Sequence, residues 1–272
     1  MMKKILFSVT ILFFLATLTL SGWKVYTLLR EYHAGSEAYS SLTSLVTYEE
    51  PAALPTEPKG TEPEQGTMPA ETESDWYVDD TAWPLVDFEA LRGLNGDTVA
   101  WIVIPGTKIS YPVVQGQDNA YYLDHLFDGT PHKAGCVFLD AGNASDLSDA
   151  NSVIYGHHLR DGSMFTKLMG YKKQAFYDEH PMALLITPQR KYQILFFSGY
   201  VANTRADAWE LTFTEEEFAP WLEELVEKSN FRPQQLPTAE DRVVTLSTCT
   251  YEFNNARYVL HGFLRDCGPY GN

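Results

Sequence analysis

The sequence predicts a mainly β fold, an eight-stranded barrel that is closed or nearly closed. From Trp76 onward, aromatic and β-branched residues are frequent, and short apolar runs alternate with Gly, Pro, Asn and Asp. Eight of these runs have the composition of strands: TVAWIVIPG, ISYPVVQG, AGCVFLD, NSVIYGHH, ALLITP, KYQILFFSGYVA, RVVTLSTC and RYVLHGFLRD. Eight short strands separated by turn signals are typical of a barrel.

Helical patterns interrupt the strands in three places. PLVDFEALRGLNGD predicts a short helix at the start of the folded domain, ended by Gly93 or Gly96. GSMFTKLMGYKKQAFY places its apolar residues roughly on one helical face. TEEEFAPWLEELVEKSN predicts a helix inserted before the strand that ends at Cys249. Thr214 and Glu217 have the spacing of a capping box, so this helix is expected to begin at Thr214.

Residues 1–30 predict a membrane anchor that precedes the barrel. Lys3 and Lys4 stand before an uncharged run from Ile5 to Trp23, and 19 helical residues nearly cross a hydrocarbon core of about 30 Å. Because cationic flanks stay in the cytoplasm, we expect a single-pass protein with a cytoplasmic N-terminus and an extracellular folded domain. A cleaved signal peptide remains the alternative, since the run ends near small residues.

Residues 31–79 predict an extended acidic stalk rich in Pro, Glu and Thr, and residues 80–272 the single principal domain. The segment from Glu49 to Asp80 has very few large apolar residues, so burial cannot offset the entropy of ordering it. The net charge of −16 argues against nucleic-acid binding, because such proteins present Lys and Arg to phosphates.

Three cysteines are candidates for a nucleophile. Cys136 lies inside an apolar strand, which favours a buried position, and Cys267 lies close to the C-terminus, where a reactive group would be poorly supported. Cys249 ends an apolar strand at a switch to polar residues. A catalytic thiol needs partial exposure and a nearby imidazole or cation. The local pattern leaves a core role and a nucleophilic role for Cys249 both open.

Three other polar residues lie near the ends of predicted strands, as Cys249 does. His157 and His158 follow the strand NSVIYG, as Cys249 follows its own strand, and Arg257 lies on the next strand, across a short turn from Cys249. An arginine there donates hydrogen bonds to a carbonyl or an oxyanion at any working pH. Adjacent residues on a strand point to opposite faces, so the two histidines do not predict a metal site. We expect neither a metal nor a cofactor.

Taken together, these elements resemble the sortases, the membrane-anchored cysteine transpeptidases of Gram-positive cell surfaces. TLSTC resembles the nucleophile strand of the family, YGH its histidine and NNARYVLHG its arginine strand. YGHHLRDGSMF, VVQGQDNAYYLDH and the helix beginning at Thr214 resemble class B in particular, and the resemblance covers about residues 80–266. It implies a sortase-like barrel.

The resemblance also implies roles for single residues. Cys249 attacks the carbonyl of a threonine in a sorting signal, and His157, the first histidine after YG, donates or accepts the proton. Arg257 steadies the substrate carbonyl or the oxyanion. Asn119, Leu123 and Ser247 match positions that line the signal-peptide groove in class B enzymes.

The implied substrates are surface proteins that carry a sorting signal. The implied acceptor is an amine of a peptidoglycan precursor, and a pilin lysine is the alternative within the same chemistry. A cysteine peptidase that uses water as the acceptor and a non-catalytic anchored adhesion domain are the other hypotheses. Amine-dependent product formation separates the transferase from the peptidase.

Overall fold

The computed structural model describes residues 2–48 and 82–271. Ten strands lie in these ranges: β1 (Val46–Tyr48), β2 (Pro84–Val86), β3 (Thr98–Val103), β4 (Ser110–Val114), β5 (Val137–Leu139), β6 (Asn151–Tyr155), β7 (Met182–Ile186), β8 (Arg190–Asn203), β9 (Val243–Cys249) and β10 (Ala256–Pro269). β1 and β2 form an antiparallel pair of their own. The other eight strands form a closed barrel.

The order of strands around the barrel is β10, β8, β7, β3, β4, β5, β6 and β9, with β9 paired again to β10. β4 pairs with β5 in parallel, β6 pairs with β9 in parallel, and the remaining neighbours are antiparallel. Each of the eight predicted strand segments overlaps one barrel strand, so the predicted eight-stranded barrel is confirmed. The parallel pair β6 and β9 matters most for function, because parallel strands end at the same edge of a sheet.

Four α-helices accompany the strands: α1 (Met2–Leu42), α2 (Phe88–Leu94), α3 (Gln174–Glu179) and α4 (Glu215–Glu227). α2 is the predicted short helix, and the Asp87 carboxylate accepts a hydrogen bond from the Ala90 N–H at its start. α4 is the helix predicted before the nucleophile strand. At its N-terminus the Glu217 carboxylate accepts from both the N–H and the hydroxyl of Thr214, at 3.0 and 2.8 Å, which is the predicted capping box.

The segment predicted as one helix over GSMFTKLMGYKKQAFY forms two short helices instead. A 3-10 helix spans Phe165–Lys172, and α3 follows after Lys173, whose extended backbone interrupts the helical path. The Phe176 ring lies directly over Gly170, where an added Cβ would be 2.7 Å from it. The break at Lys173 depends on this contact, which the helical spacing of apolar residues does not indicate.

The N-terminal part differs from the prediction at its boundary. Residues 31–48, predicted as the start of the stalk, form the end of α1, a 3-10 helix (Thr43–Leu45) and β1. Tyr39 and Leu42 are buried against the domain, which offsets the entropy of ordering this piece. Residues 49–81, the main part of the predicted stalk, lie outside the described residues.

The membrane-spanning helix predicted over residues 1–30 is not confirmed, because no helix among the described residues is both long and apolar enough to cross a membrane.

Two hydrophobic clusters hold the domain together. The larger includes residues of α1, α2 and the barrel strands, among them Trp101, Ile102 and Leu246, none of which exposes surface to solvent. The smaller lies where α4 covers β8 and β10, and it includes Trp221 and Leu225. Fully burying one such aliphatic side chain contributes about 1.5–3 kcal/mol. Both clusters include residues of the barrel strands, so their burial stabilises the barrel.

Candidate active site

A cavity of about 380 Å³ opens at one end of the barrel. All six residues that the sequence predicts for the site line this cavity: Asn119, Leu123, His157, Ser247, Cys249 and Arg257. They come from three separate stretches of the chain, which the barrel topology brings to one edge.

Pairing of β9 with β10 places Cys249 next to Arg257. Cys249 is the last residue of β9, and Arg257 is its direct partner on β10. Side chains of directly opposed residues lie on the same face of a sheet, with their Cβ atoms roughly 5 Å apart. Both side chains are partly exposed, whereas most of the residues before Cys249 on β9 are fully buried.

Pairing of β6 with β9 places the histidine at the same edge. Tyr155 is the partner of Ser247, and the Gly156 N–H donates to the Ser247 carbonyl at 3.1 Å. Because the strands are parallel, both chains leave the barrel at this point. His157 therefore emerges beside Cys249, and both line the cavity.

The imidazole of His157 contacts the backbone carbonyl of Leu123. Its Nε2 lies 2.6 Å from the Leu123 carbonyl oxygen, and a carbonyl only accepts, so Nε2 carries the proton. Gly135 lies against the ring: a Cβ added there would be 3.0 Å from Cδ2 of His157 and 2.7 Å from the Leu123 oxygen. The contact fixes the ring orientation and leaves Nδ1 as the nitrogen that can exchange a proton.

Asp140 joins two polar side chains of the cavity wall through hydrogen bonds. The Asp140 carboxylate accepts from Asn119 Nδ2 and from the Tyr155 hydroxyl, each at 2.8 Å. Asn119 Oδ1 accepts in turn from the Ala141 N–H. Burial and the Asp140 charge raise the pKa of Tyr155, so this hydroxyl stays protonated and donates. The network fixes two side chains of the cavity wall.

The cavity wall also includes residues that sequence reasoning missed. Trp209 lies in a 3-10 helix (Asp207–Trp209) between β8 and α4, and its Nε1–H donates to Ser247 Oγ at 3.2 Å. Thr204 and Thr248 also line the cavity, as do Phe138 and Tyr155. Trp209 and Thr204 come from a connecting segment with no periodic pattern, so no local signal marked them.

The other two cysteines lie elsewhere. All three cysteines are free, and neither Cys136 nor Cys267 lines the cavity. Cys136 is buried and contacts the Tyr39 hydroxyl at 3.1 Å, and burial raises its thiol pKa to about 12. Burial also raises the pKa of Cys267. Among the residues that the structure describes, no group of three or more His, Cys, Asp or Glu side chains is arranged to hold a metal ion.

The chain is similar to known proteins over most of this domain. Residues 102–265 match a family model described as Sortase domain. Sortase B of Staphylococcus aureus is 36% identical over 163 residues, which are 60% of this chain and 67% of that protein. Sortase B of Listeria monocytogenes is 34% identical over 177 residues, which are 64% of this chain and 72% of that protein.

A solved structure agrees with the sequence matches. The Staphylococcus aureus sortase B-substrate complex superimposes with a TM-score of 0.64 at 33% sequence identity, covering 66% of this chain and 85% of that one. The similarity thus extends from the sequence to the arrangement of the barrel that carries the cavity.

Proposed function

The chain belongs to the sortase family, as a class B sortase and therefore a cysteine transpeptidase, and we propose that it joins proteins to the cell wall. In this proposal it cleaves a C-terminal sorting signal after a threonine and transfers the new carboxyl end to an amine of peptidoglycan. The observation that carries the proposal is the shared cavity of Cys249, His157 and Arg257.

The first step is attack by Cys249. Its thiolate sulfur forms a bond to the threonine carbonyl carbon, and the amide bond to the next residue breaks. The departing nitrogen takes a proton and leaves as an amine, while the threonine carbonyl remains on sulfur as a thioester. The partly exposed position of Cys249 at the edge of a rigid barrel supports this role.

His157 supplies the proton in this proposal. With Nε2–H directed to the Leu123 carbonyl, Nδ1 is the nitrogen that takes the thiol proton and later gives it to the leaving amine. The backbone carbonyl orients the ring, as a carboxylate does in other nucleophile–histidine pairs. The same nitrogen accepts a proton from the incoming amine in the second step.

Arg257 stabilises the developing negative charge. Arg257 is the direct partner of Cys249 on β10, and its Nη1 donates to the Ala256 carbonyl at 3.0 Å. The guanidinium has further N–H groups that can donate to the substrate. Hydrogen bonds from it strengthen as the carbonyl oxygen becomes an oxyanion. Asn119, Leu123 and Ser247 would contact the signal peptide, since they line the walls around the thiol.

The acceptor decides between transfer and hydrolysis. An amine that enters the cavity attacks the thioester carbon, forms an amide and releases the thiol of Cys249. Water yields a carboxylic acid instead and is the competing acceptor. A pilin lysine would follow the same chemistry as a wall amine, and the nature of the acceptor separates pilus assembly from wall attachment.

The experiment uses the full-length chain, a peptide library built around one threonine, and an added amine such as triglycine. We expect an amide product that requires the amine, detected by mass spectrometry. Cys249→Ala should lower its rate by at least about 10³-fold, as loss of a nucleophile generally does. Cys267→Ala is the matched control, because it removes a thiol outside the cavity and should leave the rate unchanged.

Three results would contradict the proposal. Cleavage that is unchanged by the amine would indicate a peptidase. Activity that persists in Cys249→Ala would exclude this thiol as the nucleophile. Recovery of the acyl group on a pilin lysine in cells, rather than on a wall peptide, would reject wall attachment in favour of the alternative acceptor.

We also propose that residues 1–30 attach the enzyme to the cell membrane, with the N-terminus in the cytoplasm and the catalytic domain outside. Large apolar side chains between Phe7 and Tyr26 are exposed, and their contact with lipid would be favourable. Separation of membranes from soluble protein at alkaline pH tests this. Recovery of the full chain in the soluble fraction would contradict it.

A further inference from the structure

The second histidine of the YGHH motif contacts the nucleophile residue itself. Nδ1 of His158 lies 3.0 Å from the carbonyl oxygen of Cys249. A carbonyl has no proton to give, so Nδ1 carries the proton and donates. The contact therefore selects one tautomer of His158, with Nδ1 protonated. This arrangement is separate from that of His157, whose ring contacts the Leu123 carbonyl.

The position of this bond continues the ladder between β6 and β9. Gly156 N–H donates to the Ser247 carbonyl, and two residues further the N–H of His158 would be the next donor, facing the Cys249 carbonyl. The backbone turns away at this point, since His158 forms an isolated bridge with Met164. The imidazole Nδ1–H takes the place of the missing backbone donor.

The ring also contacts the turn that follows the nucleophile. The rings of His158 and Tyr251 lie with their centroids 5.6 Å apart and their planes at 39°. Tyr251 is 80% exposed, so few other groups restrain its side chain. His158 thus contacts both the last residue of β9 and the turn between β9 and β10.

We propose that His158 is a positioning residue for the thiol. By holding the Cys249 carbonyl and the ring of Tyr251, it fixes the end of β9 and so the direction of the Cys249 side chain toward His157. The inference rests on the proposed function for the reaction that it serves. It assigns His158 no proton transfer and no contact with the substrate.

The test compares three variants of His158 in the full-length chain. His158→Asn keeps a donor where Nδ1 lies, His158→Gln moves the donor to the position of Nε2, and His158→Leu removes it. The matched control is His180→Leu. His180 Nδ1 also donates to a backbone carbonyl, that of Pro105, at 2.9 Å, outside the cavity.

Two readouts are used. The first is the rate of alkylation of Cys249 by iodoacetamide across pH, resolved from Cys136 and Cys267 by peptide mass spectrometry. The second is kcat and KM for amine-dependent transfer.

We expect His158→Leu and His158→Gln to lower both the alkylation rate and kcat about tenfold with little change in KM, because a misplaced nucleophile slows reaction more than binding. His158→Asn should recover to within about threefold, and His180→Leu should match the wild type.

Two outcomes would overturn the proposal: wild-type alkylation and kcat in His158→Leu, or equal losses in His158→Asn and His158→Gln. Alkylation requires neither a sorting signal nor an acceptor, so it separates this inference from the proposed function. A chain that transfers no acyl group but shows the expected alkylation pattern would overturn the proposed function and support the positioning role.

Discussion

Cys136 and Cys249 differ in burial and in neighbouring residues, and these surroundings determine the reactivity of a thiol. Cys136 lies in the barrel, where burial keeps it as a thiol with a pKa of about 12. Cys249 is partly exposed at the end of β9 and has Arg257 as its cross-strand partner. The sequence could not separate core and nucleophilic roles for Cys249, because its neighbours in the cavity come from distant segments.

Gly135 is a glycine that the site requires. Its φ of +56° lies in the left-handed region, and a Cβ there would be 2.5 Å from the Tyr122 oxygen and 3.0 Å from the His157 ring. We predict that Gly135→Ala costs about 2 kcal/mol of unfolding free energy and displaces His157, which lowers kcat for transfer. Urea unfolding and steady-state kinetics measure the two effects.

Gly93 provides the control for that substitution. It lies inside α2, and a Cβ added there meets no atom within 4 Å. Gly93→Ala should therefore stabilise the chain by about 0.5–1 kcal/mol and leave kcat unchanged. If Gly135→Ala were as well tolerated as Gly93→Ala, the close packing of Gly135 beneath His157 would not hold.

At the scale of elements, the strands were predictable from local sequence. The elements that differ from the prediction do so because of tertiary contacts. The eight strand segments were predictable because composition and turn residues are local properties, and Thr214 with Glu217 marked the start of α4. The break at Lys173 depends on Phe176 covering Gly170, a contact that periodicity does not encode.

The candidate site shows the same division. The shared position of Cys249, His157 and Arg257 at one cavity was predictable from strand ends and from the family resemblance. The position of Trp209 was not, because it depends on the path of an irregular segment. The ordered structure of residues 31–48 also depends on contacts with distant segments. Tyr39 is buried by contacts with Gly135 and Cys136, which lie nearly a hundred residues away.

The turn between β9 and β10 is tied to the 3-10 helix Phe165–Lys172 by an ion pair. Glu252 accepts hydrogen bonds from Lys172 and Thr250, which lower its pKa from 4.5 to about 2. Because the folded-state pKa is below the unfolded value, the contribution to stability is complete above pH 4.5. It is lost as the pH falls from 4.5 toward 2.

We therefore predict that Glu252→Gln removes part of the acid-dependent loss of stability in this pH range. At pH 7 the variant should lose less than about 1 kcal/mol, since the pair is partly exposed and screened by solvent. Urea unfolding at several pH values measures both. Glu223→Gln, an exposed carboxylate on α4 outside this contact, controls for the change in net charge. Equal pH profiles for the two variants would contradict the prediction.

At the scale of the whole molecule, His261 lies beneath the layer that α4 forms over the barrel. It is fully buried on β10 and packs against Tyr200, Phe197 and Trp221. Its Nδ1 donates to the Thr245 hydroxyl at 2.8 Å, and that hydroxyl donates to Asn151. Nε2 has no hydrogen-bond partner among the described residues. A second proton would bring an unpaired charge into this layer.

Burial, aided by the positive charge of Lys228, lowers the pKa of His261 from 6.5 to about 3. The unfolded chain therefore binds a proton below pH 6.5 that the folded chain does not bind until about pH 3. The stability that neutral His261 contributes is complete above pH 6.5 and is lost progressively as the pH falls toward 3.

We predict that His261→Phe, which keeps an apolar ring in place, makes the unfolding free energy depend less on pH below pH 6.5. Between pH 6.5 and 3 the unfolding free energy of the wild type should fall with pH by up to about 1.4 kcal/mol per unit more steeply than that of the variant, which is the slope for one linked proton. Above pH 6.5 the two curves should run parallel, offset by about 1 kcal/mol for the lost hydrogen bond to Thr245. Urea unfolding from pH 4 to 8 tests this, and parallel curves over the whole range would mean that His261 does not govern the acid sensitivity of the barrel.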